Sequence, residues 1–193
     1  MPAEVPKAPS HPQRDLALDG AVIAIAEDGS LAGAISRSRA HRAPGILHLA
    51  VSVQLVDRDG NWLLQRRAAS KEGFPRLWAN SCCTHPAPGE EPVMAGARRV
   101  GEELGLAIEQ LIPAGVFTYR AADEHSGLVE YEQDHVFAAV ADVRGALPNQ
   151  TEIGELIQLP YRAALALVKS KLGAPWGAEV LRRSFGALEG TQR

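Results

Sequence analysis

The sequence predicts an α+β fold built as a single domain. Three observations carry that prediction. β-type segments come first, one helical segment (Pro92–Leu104) interrupts them, and strand patterns resume before two helical segments near the end. No βαβ alternation, internal repeat or second boundary is visible.

The elements follow in order. Residues 20–38, GAVIAIAEDGSLAGAISRS, read as two strands around a turn: Val22, Ile23 and Ile25 supply β-branched bulk and Asp28-Gly29 the turn chemistry. In ILHLAVSVQLVDRDGNWLLQRRA, Leu49, Val51, Val53 and Leu55 alternate with other side chains, which predicts one buried face, and Asp59-Gly60 closes a hairpin into Trp62–Gln65. Gly73, Pro75, Pro86, Pro88 and Gly89 punctuate the loop that follows. Pro92 suits the first turn of the central helix and Gly105 the position just past its end. Gly96 and Gly101 inside it cost about 1 kcal/mol each against alanine, tolerable where something approaches the backbone closely. Strands are expected at GVFTYRA and LVEYEQDHVFAAVADV, and helices over Tyr161–Lys171 and Ala178–Leu188.

The chain has 193 residues, enough for one domain with a terminal extension. Residues 1–15, proline-rich and without an apolar core segment, are expected to form a disordered tail rather than a signal peptide, leaving residues 16–193 as the domain. With 20 Lys+Arg against 23 Asp+Glu, the net charge of -3 excludes the basic footprint of a nucleic-acid or membrane-surface binder. No run of about 18 apolar residues is present. The two cysteines, Cys82 and Cys83, are adjacent and have no other partner, which points to a reduced, cytoplasmic protein.

Three groups of residues could carry chemistry. The loop Asn80-Ser81-Cys82-Cys83-Thr84-His85-Pro86 offers a cysteine two residues from a histidine: a nucleophile, an acid/base, a metal neighbour, or simply a pair of buried thiols. Glu130 and Glu132, two apart on a strand, share a face and would raise a pKa, attract a cation, or form a solvated face. With His41, His48 and His85 they could make a metal site. The pairs Arg98–Glu102 and Arg99–Glu103 read as a surface ion-pair ladder. Arg66, Arg67 and Lys71 form a basic cluster that suits a diphosphate, or plain solubility.

The segment Thr84-x5-Glu90-x7-Arg98-Arg99-Val100-Gly101-Glu102-Glu103-Leu104-Gly105-Leu106 resembles a degenerate Nudix box, G-x5-E-x7-R-E-U-x-E-E-x-G-U with U a bulky apolar residue. Thr84 replaces the first glycine, and Arg99 replaces a glutamate that normally helps hold the hydrolytic metal. The stretches LHLAVS, RRAASK, W-x-N-S-x-C-x-H-P and V-E-x-E resemble, in order and near spacing, the signatures of type I isopentenyl-diphosphate Δ-isomerases over about residues 20–142, and more weakly to Trp176.

The resemblance implies a Nudix-like mixed β-sheet sandwiched by helices. It implies a catalytic set of Cys83, Glu132 and Tyr119, and metal ligands His41, His48, His85, Glu130 and Glu132, with Glu103 helping Mg²⁺ meet the diphosphate. The substrate contacts it implies are Arg37, Arg67, Lys71, Arg99 and Trp176. The cofactors are then Mg²⁺ with the diphosphate and one further divalent ion, Mn²⁺, Zn²⁺ or Mg²⁺, in the His/Glu site. The partner is a small prenyl diphosphate, with no nucleic acid or membrane, and the chain acts as a monomer or weak homodimer. The implied reaction interconverts isopentenyl and dimethylallyl diphosphate through a tertiary carbocation. The alternatives are a Nudix hydrolase of a prenyl or nucleotide diphosphate, against which Arg99 speaks, and a non-enzymatic diphosphate-binding domain. Three departures stand out: Thr84, the Gln133-Asp134-His135 run in place of a cysteine–proline pair, and the scarcity of aromatics around Trp176.

Overall fold

The computed structural model describes residues 20–190, so the tail expected over residues 1–15 lies outside the described residues. The elements run β1 (Ala21–Ile25), β2 (Leu31–Ser36), α1 (Arg37–His41), β3 (His48–Val56), β4 (Asn61–Arg67), β5 (Trp78–Ala79), β6 (Cys82–Thr84), α2 (Pro92–Leu104), β7 (Ile112–Ala122), β8 (Val129–Val140), β9 (Ile153–Pro160), α3 (Tyr161–Lys169) and α4 (Gly177–Gly190). The strands join in one mixed nine-stranded sheet. The α+β class is therefore the one observed.

β3 is the hub. On one side it runs parallel to β8, whose other edge pairs antiparallel with β7. On its other side it meets β1 at His48, β6 over Val51–Val53 and β4 at Val56. The alternation in β3 holds, but the strand is buried on both faces rather than one. The reason is that the sheet is covered twice. Val51, Val53 and Leu55 pack with Cys82, Val100, Leu104 and Phe137 under α2. On the other face Ala79, Val136, Trp176 and Val180 form a second cluster beside α4. Each fully buried leucine or valine contributes about 1.5–3 kcal/mol over its exposed state.

The central helix spans the predicted Pro92–Leu104, and Gly105, at φ +66°, caps it by donating its N–H to the Gly101 carbonyl. Its two interior glycines differ. A Cβ on Gly96 would stand 3.0 Å from Val53 Cγ2 and 3.2 Å from Leu111 Cδ1, whereas one on Gly101 would meet nothing nearer than 3.8 Å. Close approach explains the first glycine only. Gly96→Ala is therefore expected to destabilise by about 1–3 kcal/mol through overpacking, and Gly101→Ala to stabilise by about 0.4–1 kcal/mol. Urea midpoints of the two variants check both signs.

The structure corrects the sequence reading in several places. β9, which lines β4 in antiparallel register from Asn61↔Pro160, was not expected. Its apolar residues serve two clusters at once, Leu156 on one and Ile157 and Leu159 on the other, so no clean alternation marks it. The cysteine segment is strand β6 rather than loop. Arg37–His41 is a short helix. The first strand beyond α2 starts at Ile112, and α3 stops at Lys169, short of Lys171.

Candidate active site

Strand register brings the chemistry together. His48 on β3 stands opposite Glu132 on β8, which stands opposite Tyr119 on β7. Glu130 lies two residues before Glu132 on the same face. β6 pairs Cys83 with Ser52 of β3 and leads directly into His85. α1 supplies His41 from its last turn.

The result is a cluster in which one ligand atom each from His41, His48, His85, Glu130 and Glu132 lies within 4.8 Å of all the others. His85 Nε2 is 2.9 Å from Glu132 Oε1 and 3.2 Å from His48 Nε2. His41 Nδ1 meets the Arg37 carbonyl at 2.8 Å and His48 Nδ1 the Ile46 carbonyl at 2.7 Å. A carbonyl only accepts, so both rings carry their proton on Nδ1 and present a bare Nε2 inward. His41 Nε2 and Glu130 Oε2 are 2.8 Å apart, yet neither makes a properly directed hydrogen bond and both are buried. Polar atoms that converge without bonding one another are what a divalent cation satisfies, and three imidazoles with two carboxylates form a donor set for one. Burial alone would raise the Glu132 pKa, but the His48 and His85 imidazoles beside it hold it well below the usual carboxylate range.

Beside the cluster lies a cavity of about 320 Å³. Cys83, Glu132, Tyr119 and Trp176 line it, and Arg37, Arg67, Lys71 and Arg99 add positive charge. Tyr119 donates its hydroxyl to Glu132 Oε2 at 2.5 Å. Adjacent positions on β6 point to opposite faces, so Cys82 sits fully buried in the α2 core while Cys83 reaches the cavity. Burial, helped by the nearby Asp134 carboxyl, pushes the Cys83 thiol up to about 12, so it is protonated at neutral pH. Trp176 is 3% exposed and packs edge-on to Phe74 at 5.5 Å, with the Arg67 guanidinium 5.4 Å from its ring.

Every predicted residue except Glu103 falls on this cluster or cavity. Glu103 is buried off the cavity wall, where Arg99 Nε holds it at 2.7 Å and Gln65 Nε2 reaches it at 3.3 Å. Glu103 is thus not part of a surface ladder, whereas Glu102 is: it pairs with Arg98 at 3.0 Å and Arg99 at 3.1 Å, and Glu90 completes it. Arg66 turns outward to Glu155, away from Arg67. Sequence reasoning missed Glu152. It lines the cavity and pairs with both Lys71 and Arg99. Burial would raise its pKa, but those two cations bring it down to about 2. Its position just before an unrecognised strand gave no signal. Two of the departures touch the site: Thr84 lines the cavity, and Asp134 accepts a 2.7 Å hydrogen bond from Ser52, the β3 residue paired with Cys83.

Comparison with known proteins gives a consistent answer. The NUDIX domain family model matches residues 46–183. The chain is similar to a protein of Nocardia farcinica (strain IFM 10152) named isopentenyl-diphosphate Delta-isomerase, at 47% identity over 81% of this chain and 90% of that protein. A Streptomyces griseus protein of the same name is 43% identical over 80% of this chain and 76% of its own length. Among solved structures, DR0079 from Deinococcus radiodurans superposes with a TM-score of 0.65 at 22% identity, covering 86% of this chain and 99% of that one. A MutT protein from Methanosarcina mazei Go1 gives 0.58 at 17% identity, covering 76% of this chain and 96% of that one. These two structures support the fold alone.

Proposed function

The chain belongs to the isopentenyl-diphosphate Δ-isomerase family of NUDIX-fold proteins, and from that premise we propose that it interconverts isopentenyl and dimethylallyl diphosphate by proton addition and removal, with Cys83 and Glu132 as the proton-transfer pair. One observation carries the assignment of residues: the thiol of Cys83 and the carboxylate of Glu132 line the same cavity, beside the His/Glu cluster and together with four basic side chains.

The chemistry follows from the protonation states. Moving the double bond requires a proton added at the terminal methylene and another taken from the CH2 carbon two positions nearer the diphosphate. The charge between those events sits on a tertiary carbon that water would capture. Cys83 holds its proton and Glu132 is ionised, so the pair carries one transferable proton and one acceptor. Tyr119, hydrogen-bonded to Glu132, fixes that carboxylate toward the cavity. Trp176 offers a ring whose electron-rich face favours a cation. Arg37, Arg67, Lys71 and Arg99 hold the diphosphate and so set the register of the alkene. For Glu103 to reach a Mg²⁺ travelling with the diphosphate, Arg99 must release its 2.7 Å pair. When bound, the divalent ion in the His/Glu cluster supplies positive charge that keeps Glu132 ionised and oriented. Hydrolysis is the weaker reading, because the box helix presents Arg99, paired with Glu103 and Glu152, where a hydrolase presents a carboxylate.

The deciding experiment is incubation with isopentenyl diphosphate in D₂O. Resetting the acid/base pair exchanges its protons with solvent, so deuterium enters the recovered prenyl diphosphates without phosphate release. Phosphate release with no double-bond shift would favour the hydrolase instead. Chelation is expected to lower both turnover and melting temperature. A ligand held at 100 times its Kd stabilises by about 2.7 kcal/mol, which its removal forfeits. Calorimetry before and after re-addition of Zn²⁺, Mn²⁺ or Mg²⁺ reads the effect for each ion.

A further inference from the structure

Asn80 is fully buried and belongs to neither the metal cluster nor the cavity lining. Its amide nitrogen donates to the Val53 carbonyl at 3.2 Å and the Cys82 carbonyl at 2.8 Å. Carbonyls cannot donate, so these two bonds fix which way the amide lies, and its oxygen must face the other way. That oxygen accepts from two groups at once: the Cys83 thiol at 3.2 Å and the Trp176 indole N–H at 3.1 Å. The thiol's other neighbour of this kind is Ser52 Oγ at 3.4 Å, which directs its own proton to Asp134.

We propose that Asn80 is a positioning residue whose single carbonyl oxygen aims the Cys83 S–H and ties the Trp176 ring to it. The inference rests on the reading of Cys83 as a proton-transfer group. The backbone of β6 and β3 anchors the amide, so the oxygen is a rigid reference point. The thiol and the indole, which come from positions 93 residues apart in sequence, are held to it together. Without it the S–H turns to Ser52 and the indole loses its one polar tether, so proton and ring are no longer aligned on the same alkene. The diphosphate contacts are untouched.

The test uses the full metal-loaded chain. Asn80→Leu, close in size and without an acceptor, should lower kcat about 10²-fold, with KM for isopentenyl diphosphate changed by no more than about threefold, the pattern of misplacement rather than lost binding. The infrared S–H band of Cys83, isolated by subtracting the spectrum of Cys83→Ser, should move to higher frequency as its hydrogen bond weakens. Asn80→Asp, which keeps an oxygen toward the thiol, should retain more turnover than Asn80→Leu. If Asn80→Leu does not fold, Trp176→Phe gives a second reading. With one donor removed from the shared oxygen, the S–H band should shift to lower frequency. An unmoved band in whichever variant folds, or wild-type kcat in Asn80→Leu, overturns the proposal while leaving the isomerase reading intact. If the wild type itself does not shift the double bond, the isomerase reading fails and the positioning role in turnover falls with it.

Discussion

Cys83→Ala is expected to reduce isomerisation about 10³-fold while the affinity for inorganic diphosphate stays within about twofold of wild type. In the proposed mechanism the thiol is the cavity's proton store. Burial drives its titration up to about 12, so at neutral pH the proton is held ready, and alanine removes it without adding charge or bulk. The proposed diphosphate contacts, Arg37, Arg67, Lys71 and Arg99, come from α1, β4, the loop after it and α2, not from β6, so they should keep their geometry. Isothermal titration with diphosphate, set beside a steady-state assay, separates the two effects. Near-normal turnover in the variant would remove Cys83 from the mechanism. Cys82→Ala is the control that the same strand provides. Its side chain faces the α2 core, so its effect should appear in stability and not in kcat.

That contrast shows how much the sequence disclosed. The sequence reading placed the two cysteines in a loop, so it did not say which one meets the cavity. The resemblance chose Cys83, and the pairing of β6 with β3 supplies the physical reason. Helix α2 was legible to the residue because proline at its start and glycine past its end are local signals. The convergence of His41, His48, His85, Glu130 and Glu132 was not local. It depends on β3 and β8 lying parallel in the register His48↔Glu132, a contact between segments 84 residues apart that no window of sequence displays. Glu152 and β9 escaped for the same reason. Their roles are set by what they meet, Lys71, Arg99 and β4, and not by a pattern of their own. Glu103 and Arg99 show the reverse error. Helical spacing identified the pair correctly but placed it on a surface ladder, because spacing reports neighbours and not depth.

Glu132→Gln should reduce turnover at least as far as Cys83→Ala, about 10³-fold or more, because two functions leave with one charge. The amide cannot accept the proton that the alkene must lose. It also removes a carboxylate oxygen from a cluster in which His85 Nε2 stands 2.9 Å away and His48 Nε2 3.6 Å away, so affinity for the divalent ion falls as well. The two losses are separable. Glu130→Gln removes an equivalent ligand, opposite His41 at 2.8 Å, and leaves the Glu132 carboxylate in place. Metal content by elemental analysis should therefore fall in both variants. At saturating divalent ion Glu130→Gln should regain turnover, whereas Glu132→Gln should stay inactive. If added metal rescued both equally, Glu132 would be a ligand and nothing more, and the acceptor would have to be another group on the cavity wall. Tyr119 is the nearest, but its hydroxyl is committed to Glu132, and burial beside that carboxylate pushes its titration upward, so it is a poor proton acceptor at neutral pH. A thiol that keeps its proton and a carboxylate that stays ionised are the complementary pair an allylic proton shift requires, and at residue 132 only a carboxylate supplies the second half.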